Sequence, residues 1–361
     1  MVSRKPTYDN PIIHKLLPKV IRILLLTLLI ASCGPKNSTA PDTTQLLVVE
    51  STIEREKGEG SPGGIPNLGA TCYMNSVLQI LKTFYLPRIN EKDDELGKSL
   101  QSLMQVIADD KEVANKAEAT AVFKALHSQF GWTTDLSEHQ DAQELIGHLF
   151  DWMNLPTACT QSKFVEPTTH EERSSRSDPW RIHPVALPTE KDKISAMQDL
   201  FKQSIAPEDM YVKFRNTDTL DSKVKKFKEL KNLDSLYSKI LILQLNRFET
   251  KGGARLADGT YSKDFTKSKL GQAVQSPMSL VIKKDQTVEK DRKTRYTLAA
   301  FILHTGDSAD GGHYVAYVKK EGRWICYNDN HVNVVSDAEA ENNAKQAYLF
   351  FYQPSRPRRA E

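Results

Sequence analysis

The residues of this chain best suited to nucleophilic chemistry are one cysteine, one histidine and an adjacent asparagine and aspartate. Cys72 lies at the start of a predicted helix, and the positive end of a helix favours the negative charge of a thiolate. A thiolate enzyme also needs an imidazole that accepts and returns the proton, and a third group that orients the imidazole. His313 is the candidate imidazole, and either Asn328 or Asp329 could accept a hydrogen bond from it.

The same residues also have an interpretation without catalysis. His313 begins an alternating strand after residues 306–312 (GDSADGG), a stretch without bulk that the backbone of a substrate could approach closely. Two antiparallel strands could bring Asn328 or Asp329 beside His313. A histidine at the end of a strand and a later Asn-Asp turn are, however, also ordinary structural features. The residue pattern alone does not choose between the two interpretations.

The elements that must position these residues begin with a helical part. Apolar residues recur at helical spacing over residues 74–85 and predict a helix that begins close to Cys72. A second helix is predicted from about residue 138 to residue 153, with residues 137–140 fitting a capping box. Between these two, residues 96–107 and 120–130 are also predicted to be helical.

The second half of the chain is rich in β-strand signals. Apolar runs are separated there by Gly, Asp and Lys clusters, which predicts a mainly antiparallel sheet. A helical half followed by a sheet is an α+β arrangement. Residues 160–236 carry only weak and interrupted signals, and their lysine run at 223–231 is interpreted as a solvated face. The predicted strands cover residues 240–248, 296–304, 313–318, 323–327 and 347–353.

Composition and charge exclude several classes of protein. The 361 residues are 39% hydrophobic and 26% charged, which is typical of a folded globular protein. Forty-nine basic residues against 46 acidic ones give a net charge of +3, too balanced to support nucleic-acid binding. The cysteines lie too far apart for a CxxC zinc or redox motif. We therefore expect no nucleic-acid partner, no metal and no cofactor. The four cysteines are Cys33, Cys72, Cys159 and Cys326.

The first 32 residues follow the plan of a secretory signal. The uncharged run at 23–32 (ILLLTLLIAS) follows a basic segment. Ten helical residues rise only about 15 Å, about half of the hydrocarbon thickness of a bilayer. The end of this run resembles the bacterial lipobox, which predicts a lipoprotein signal over residues 1–32 and a lipid anchor in the membrane at Cys33. A buried helix or an uncleaved anchor is the alternative. The small, polar residues 33–63 predict a flexible tether.

Five blocks of the chain, in order, resemble the ubiquitin-specific proteases, papain-like cysteine peptidases that remove ubiquitin. Residues 64–81 (GIPNLGATCYMNSVLQIL) are similar to the cysteine box of that family. Residues 140–145 (QDAQEL) and 242–248 (ILQLNRF) resemble its second major helix and its central strand. Residues 296–317 and 324–332 resemble its histidine box in content, order and spacing.

This resemblance implies a fold and a role for each candidate residue. The catalytic domain would span residues 64–355, with a helical thumb and an antiparallel β palm. Cys72 would attack the carbonyl carbon of the last glycine of ubiquitin, and His313 would serve as its base and then as the acid for the leaving lysine amine. Asn328 would orient His313, with Asp329 as the alternative or auxiliary third member. The remaining roles would fall to Asn67 in the oxyanion hole and to Gly311 and Gly312 along the channel for the Gly-Gly tail.

The chain departs from the family in the region that grips ubiquitin. Many members carry two CxxC pairs in β-hairpin fingers, whereas this interval contains only Cys159, so we expect reduced, zinc-free fingers. Two alternatives to a deubiquitinase stay open: a peptidase for another ubiquitin-like protein that ends in Gly-Gly, and a catalytically dead ubiquitin-binding module. A lipobox before such a domain indicates that the chain comes from a bacterium that lives with eukaryotic cells. Its protein, membrane-anchored or secreted, would reach host ubiquitin conjugates as an effector.

Overall fold

Helices dominate the first part of the domain and strands dominate the second, which confirms the predicted α+β class. The computed structural model describes residues 63–108, 112–188, 195–212, 222–252, 265–290, 294–308 and 311–355. Within these ranges, no helix is long and apolar enough to cross a membrane. The helices are α1 (Cys72–Phe84), α2 (Leu86–Asn90), α3 (Glu95–Ile107), α4 (Lys116–Phe130), α5 (Ala142–Trp152), α6 (Met197–Ser204) and α7 (Asp337–Ala344).

The predicted start of α5 is wrong. The helix begins at Ala142, and no capping box forms at residues 137–140. Asp141 is the N-cap instead, because its carboxylate accepts hydrogen bonds from the backbone N–H groups of Gln143 and Glu144. Residues 131–141 therefore lie outside the helices and contain a turn, and the backbone N–H of Ala70 in the loop before α1 donates to the Leu136 oxygen at 2.6 Å.

A large sheet carries the second half of the domain. Its strands are β3 (Ile182–Ala186), β7 (Leu241–Asn246), β11 (Ser279–Ile282), β12 (Thr294–Ser308), β13 (Gly311–Lys320), β14 (Arg323–Asn328), β15 (His331–Val335) and β16 (Ala347–Pro354). The order is β15-β14-β13-β12-β16-β7-β3, with β11 also paired to β12. Neighbours are antiparallel except β3 and β7, which are parallel.

Both faces of this sheet are covered, which explains the long apolar runs in its strands. On β12, Ala300 and Ile302 pack into the cluster that contains the apolar faces of α1, α3, α4 and α5. Phe301 and Leu303, which point the other way, join a second cluster with α6 and α7. The helix that begins at Cys72 is thereby pressed onto the sheet that carries His313.

A second antiparallel sheet occupies the region where the sequence signals are weak. Its order is β2-β1-β6-β5. On β6, Val224 and Leu230 are buried, whereas the intervening lysines are half-buried or exposed. Lys226 and Lys228 each lie 3.2 Å from a carboxylate oxygen of Glu208 on β5. The strands of this sheet and of two small pairs, β4–β10 and β8–β9, are β1 (Ala158–Val165), β2 (Glu172–Trp180), β4 (Ser195–Ala196), β5 (Glu208–Val212), β6 (Ser222–Lys231), β8 (Phe248–Gly252), β9 (Phe265–Lys269) and β10 (Val274–Gln275).

Arg247 is a fully buried cation at the end of β7. Burial lowers the pKa of its guanidinium to about 10, which still leaves it charged at neutral pH. Its donors are met by backbone carbonyls rather than by a single counter-ion, so it fastens the start of β16 to the chain after β9. The four accepting oxygens belong to Ala347, Leu270, Gln272 and Lys345, at 2.8 to 3.1 Å.

We expect Arg247→Met to lower the free energy of unfolding by about 3 kcal/mol or more, because several buried carbonyls lose their donors at once. Urea denaturation followed by circular dichroism measures this change. Arg323→Met, at an exposed position on β14, is the control and should stay within about 0.5 kcal/mol of the parent. Equal denaturation midpoints for both variants would show that the carbonyl cluster does not depend on the guanidinium.

Candidate active site

The loop before α1 is organised by Asn67 and ends at Cys72. The Asn67 Oδ1 atom accepts hydrogen bonds from the Gly69 N–H, the Thr71 N–H and the Thr71 hydroxyl, at 2.9 to 3.1 Å. Cys72, the first residue of α1, is 2% exposed, and no side chain caps this end of the helix. Gly69 is required by space, since a Cβ there would lie 2.4 Å from the backbone oxygen of Leu136. The loop thus presents a thiol at a helix start.

His313 reaches Cys72 from the facing sheet. Ala316 on β13 lies opposite Tyr327 on β14, which brings the start of β13 next to the end of β14. The His313 side chain is hydrogen-bonded to Cys72, and its Nε2 lies 2.6 Å from Asn328 Oδ1. The three side chains form a continuous line from thiol to imidazole to amide. This is the arrangement that proton transfer from a nucleophile requires.

The environment of His313 favours its protonated form. Burial lowers the pKa of this imidazole, but hydrogen bonds to Cys72 and Asn328 and the negative charges of Cys72 and Asp329 outweigh it and raise the pKa to about 9. An imidazolium at neutral pH is the partner that stabilises a thiolate. The site therefore favours a positive charge on His313, beside the Cys72 sulfur.

Asp329 occupies a different place from its neighbour. It has a positive φ of 53° in the turn after β14, and its Oδ2 lies 3.9 Å from His313 Nε2, beyond hydrogen-bond distance. Its carboxylate accepts instead from two amides, Asn67 Nδ2 at 2.9 Å and Asn75 Nδ2 at 2.8 Å. Of the two residues left open by the sequence, Asn328 makes the hydrogen bond to the imidazole.

The two candidate channel glycines differ in their surroundings. Gly312 has a φ of +135°, and a Cβ there would lie 2.2 Å from the Thr305 oxygen and 2.6 Å from His304 Nε2. At Gly311 a Cβ would meet nothing within 4 Å. Burial, together with the charge of Lys269, lowers the pKa of His304 to about 3, so the imidazole beside Gly312 is neutral. Of the two positions, only Gly312 leaves no room for a side chain.

Two buried amides lie on α1, Gln79, which the sequence predicts to support the site, and Asn75, which the sequence analysis missed. Asn75 Nδ2 donates to Asp329 Oδ1 and to the Ile65 oxygen, and Gln79 Nε2 donates to the Gly63 oxygen at 2.7 Å. Both lie on one buried face of α1 with Cys72, Ser76 and Lys82, opposite the apolar residues of this helix. A polar amide on such a face is the signal that could have pointed to Asn75, because a buried amide needs partners.

Two further cysteines, Cys159 and Cys326, lie within the described residues. Burial raises the pKa of the Cys326 thiol to about 12, and Cys159 is half-buried on β1. Across the described ranges, no group of three or more His, Cys, Asp or Glu side chains could hold a metal ion. Cys33, the predicted signal at residues 1–32 and nearly all of the predicted tether lie outside the described residues.

We expect Asn328→Ala to lower kcat/KM for the substrate by about 10- to 100-fold, since a hydrogen bond to a charged group contributes about 1.5–3 kcal/mol. The same bond favours the imidazolium, so its loss lowers the pKa of His313. The alkaline limb of the pH profile of kcat/KM should therefore move to lower pH. Asn333→Ala on the neighbouring strand β15 is the matched control. An unmoved alkaline limb in Asn328→Ala would contradict the assigned contact.

Residues 63–352 match the ubiquitin carboxyl-terminal hydrolase family. The chain belongs to this family. Ubiquitin carboxyl-terminal hydrolase 25 of Arabidopsis thaliana is 26% identical over 354 residues, which cover 88% of this chain and 51% of that protein. Ubiquitin carboxyl-terminal hydrolase 7 of Drosophila melanogaster is 24% identical over 79% of this chain and 25% of its own length. The chain thus matches about half of the first relative and a quarter of the second.

Solved structures share the fold of this ubiquitin carboxyl-terminal hydrolase domain. A chain of the SAGA Ubp8/Sgf11/Sus1/Sgf73 DUB module bound to ubiquitin aldehyde superposes with a TM-score of 0.61 at 20% identity, over 87% of this chain and 75% of that one. The same module bound to monoubiquitin gives the same values. The predicted α+β, papain-like fold is confirmed by this likeness.

Proposed function

We propose that the domain is a cysteine-type deubiquitinase that hydrolyses the peptide or isopeptide bond after the C-terminal glycine of ubiquitin. The observation that carries this proposal is the hydrogen-bonded line of Cys72, His313 and Asn328 in a chain of this family. Cys72 is the nucleophile, His313 the general base and acid, and Asn328 the residue that orients the imidazole. Asp329 is auxiliary through its contact with Asn67.

The first half of the reaction forms a thioester. His313 takes the proton of the Cys72 thiol, and the thiolate attacks the carbonyl carbon of the terminal glycine. The negative charge then develops on the carbonyl oxygen. Asn67 donates one hydrogen of its Nδ2 to Asp329, and its second hydrogen is available for this oxyanion. When the tetrahedral intermediate collapses, the carbon–nitrogen bond breaks and the leaving amine takes the proton from His313.

The second half releases ubiquitin. His313, now neutral, takes a proton from a water molecule, and the resulting hydroxide attacks the thioester carbonyl carbon. The same oxyanion contacts apply, and collapse breaks the carbon–sulfur bond. The Cys72 thiolate is regenerated beside the imidazolium, and the terminal glycine leaves as a carboxylic acid that gives its proton to the solvent. No oxidant, metal or cofactor takes part.

Ubiquitin is the substrate that best fits the chain. The solved DUB modules with this fold were captured with ubiquitin or ubiquitin aldehyde. Gly311 and Gly312 precede His313, so a tail without side chains can approach the thiol closely, and Gly312 is held tightly against Thr305. A ubiquitin-like protein ending in Gly-Gly is the second candidate, because the same glycines would admit its tail.

Covalent capture tests substrate and nucleophile together. The full-length chain is mixed with propargyl probes made on the C-termini of ubiquitin and of its Gly-Gly-ending relatives, and adducts are identified by intact mass. We expect capture of the ubiquitin probe in preference to the others, with the adduct mapped to Cys72. Wild-type protein that ignores the ubiquitin probe while capturing a relative would make that relative the substrate.

We further propose that Cys33 is lipidated and that the catalytic domain is anchored to a bacterial membrane or released towards eukaryotic host conjugates. The lipobox-like end of residues 23–32 supports the anchor. Palmitate labelling of the native producer, with and without globomycin, tests it. We expect label on Cys33 that Cys33→Ala removes, and an unlabelled wild-type chain would refute the anchor.

A further inference from the structure

Asn75 is a buried amide one helical turn after Cys72 that the mechanism above leaves without a task. Its side chain belongs to a residue that is 3% exposed. Its Nδ2 donates to the Ile65 oxygen at 3.1 Å and to Asp329 Oδ1 at 2.8 Å. An amide nitrogen carries two hydrogens, so both are used. Because an acceptor stands in each direction, the amide can take only this orientation.

The Asp329 carboxylate lies within reach of competing donors. Its Oδ1 accepts from Asn75, its Oδ2 accepts from Asn67, and its Oδ2 is only 3.9 Å from His313 Nε2. A hydrogen bond between a carboxylate and an imidazolium is charge-assisted and stronger than one to a neutral amide. A carboxylate that was free to turn would therefore move towards His313. In the structure it does not.

We propose that Asn75 is a positioning residue that assigns separate tasks to the neighbouring Asn328 and Asp329. By holding Asp329 Oδ1, it turns Oδ2 to Asn67 and leaves Asn328 as the hydrogen-bond partner of the imidazole. Asn67 is then fixed by one hydrogen, and its second is kept for the oxyanion. This role rests on the deubiquitinase activity proposed above and adds the residue that sets the geometry of its oxyanion donor.

The backbone around Asp329 supports this assignment. The Ile65 N–H donates to the Asp329 backbone oxygen at 2.9 Å. Asn75 Nδ2 donates to the backbone oxygen of the same Ile65, so Asn75 contacts both residues of this pair. Gly64 packs so closely on the turn that a Cβ would lie 2.6 Å from the Asn330 oxygen. Asn75 thus joins α1 to two other segments. It bonds to Ile65 in the loop before the nucleophile and to Asp329 in the turn after β14.

Exchanging donor and acceptor between positions 75 and 329 tests the proposal. In Asn75→Asp, a second carboxylate faces Asp329. In Asp329→Asn, the amide must turn a donor towards either Asn75 or Asn67. In the double variant the amide at 329 donates to the carboxylate at 75 and still accepts from Asn67. We expect each single variant to lower kcat by about 30-fold with KM nearly unchanged, and the double variant to recover about tenfold of that loss.

Gln79 provides the matched control. It is a buried amide one turn further along α1, it holds the same segment through the Gly63 oxygen, and it makes no contact with Asp329. Gln79→Glu combined with Asp329→Asn should recover nothing. If that pair recovers kcat as well, or if the double variant at 75 and 329 is no better than the poorer single variant, the positioning role is wrong.

A second measurement does not depend on ubiquitin. Asn75→Leu removes both donors without adding a charge, and the freed Asp329 should then bond to His313. Titration of the 13C-labelled histidines by NMR, with His313 assigned from His313→Gln, should place its midpoint about one pH unit above that of the parent. Gln79→Leu should leave the midpoint in place. The titratable groups that face His313 in the parent are Cys72 and Asp329, with neutral His304 nearby.

The two proposals fail in distinguishable ways. Wild-type protein that cleaves no ubiquitin conjugate overturns the proposed function, whereas the NMR midpoint of His313 in Asn75→Leu still decides the role of Asn75. An active wild type with an unmoved midpoint overturns the role of Asn75 alone. Thermal melting of every variant is recorded, and Asn75→Leu carries the test if Asn75→Asp does not fold.

Discussion

Replacing the nucleophile should abolish cleavage and leave ubiquitin binding intact. In Cys72→Ala the sulfur that forms the thioester is absent, so turnover of a ubiquitin C-terminal fluorogenic substrate should fall by roughly 10⁵-fold or more. The thiol contributes little surface to a bound protein, because Cys72 is 2% exposed. Isothermal titration with free ubiquitin should therefore give the same affinity for the variant as for the wild type.

Comparing the turnover of Cys159→Ala with that of Cys72→Ala distinguishes an ordinary thiol from the nucleophile. Cys159 is half-buried on β1, in the sheet away from the His313 contact, so its replacement should leave turnover unchanged. Equal turnover by wild type and Cys72→Ala would refute the assigned nucleophile. Equal binding together with no turnover in the wild type itself would identify the chain as the ubiquitin-binding module that the sequence leaves open.

The parts of the fold that sequence reasoning predicted are those in which burial imposes a period. α1 and the strands β12, β13 and β16 carry apolar residues wherever the neighbouring layer covers them, so their positions follow from pattern alone. The β2-β1-β6-β5 sheet was missed because most of its side chains are exposed or half-buried, so no apolar alternation marks its strands. The start of α5 was misplaced because residues 137–140 fit a capping box by residue type, whereas the cap that forms is the carboxylate of Asp141.

Within the site, residue type revealed the chemistry, but only the structure separates near neighbours. Asn328 and Asp329 are adjacent and both can accept a hydrogen bond from an imidazole, so residue type does not distinguish them and only the family resemblance favours Asn328. The positive φ of Asp329 turns its carboxylate out of the line of β14 and towards Asn67 and Asn75. That backbone conformation depends on the loop before α1, which lies some 260 residues earlier in the chain. Contacts of such separation are not readable from local sequence.

The second large effect is expected at His313. His313→Gln keeps a polar side chain on β13 but can neither take the thiol proton nor return one, so we expect turnover of isopeptide-linked di-ubiquitin to fall by about 10³- to 10⁴-fold. The hydrogen bonds of His313 to Cys72 and Asn328 place it to do both. Combining His313→Gln with Cys72→Ala should cost no more than Cys72→Ala alone, because the residues act as one unit.

The choice of leaving group separates the two tasks of this histidine. An isopeptide amine must be protonated to leave, whereas the thiolate of a ubiquitin thioester leaves without a proton. If His313 is both base and acid, His313→Gln should therefore lose more activity on the isopeptide than on the thioester. Raising the pH, which ionises the thiol without a base, should restore part of the thioester reaction and little of the isopeptide reaction. Equal losses on both substrates at every pH would mean that His313 does not act as the acid for the leaving amine.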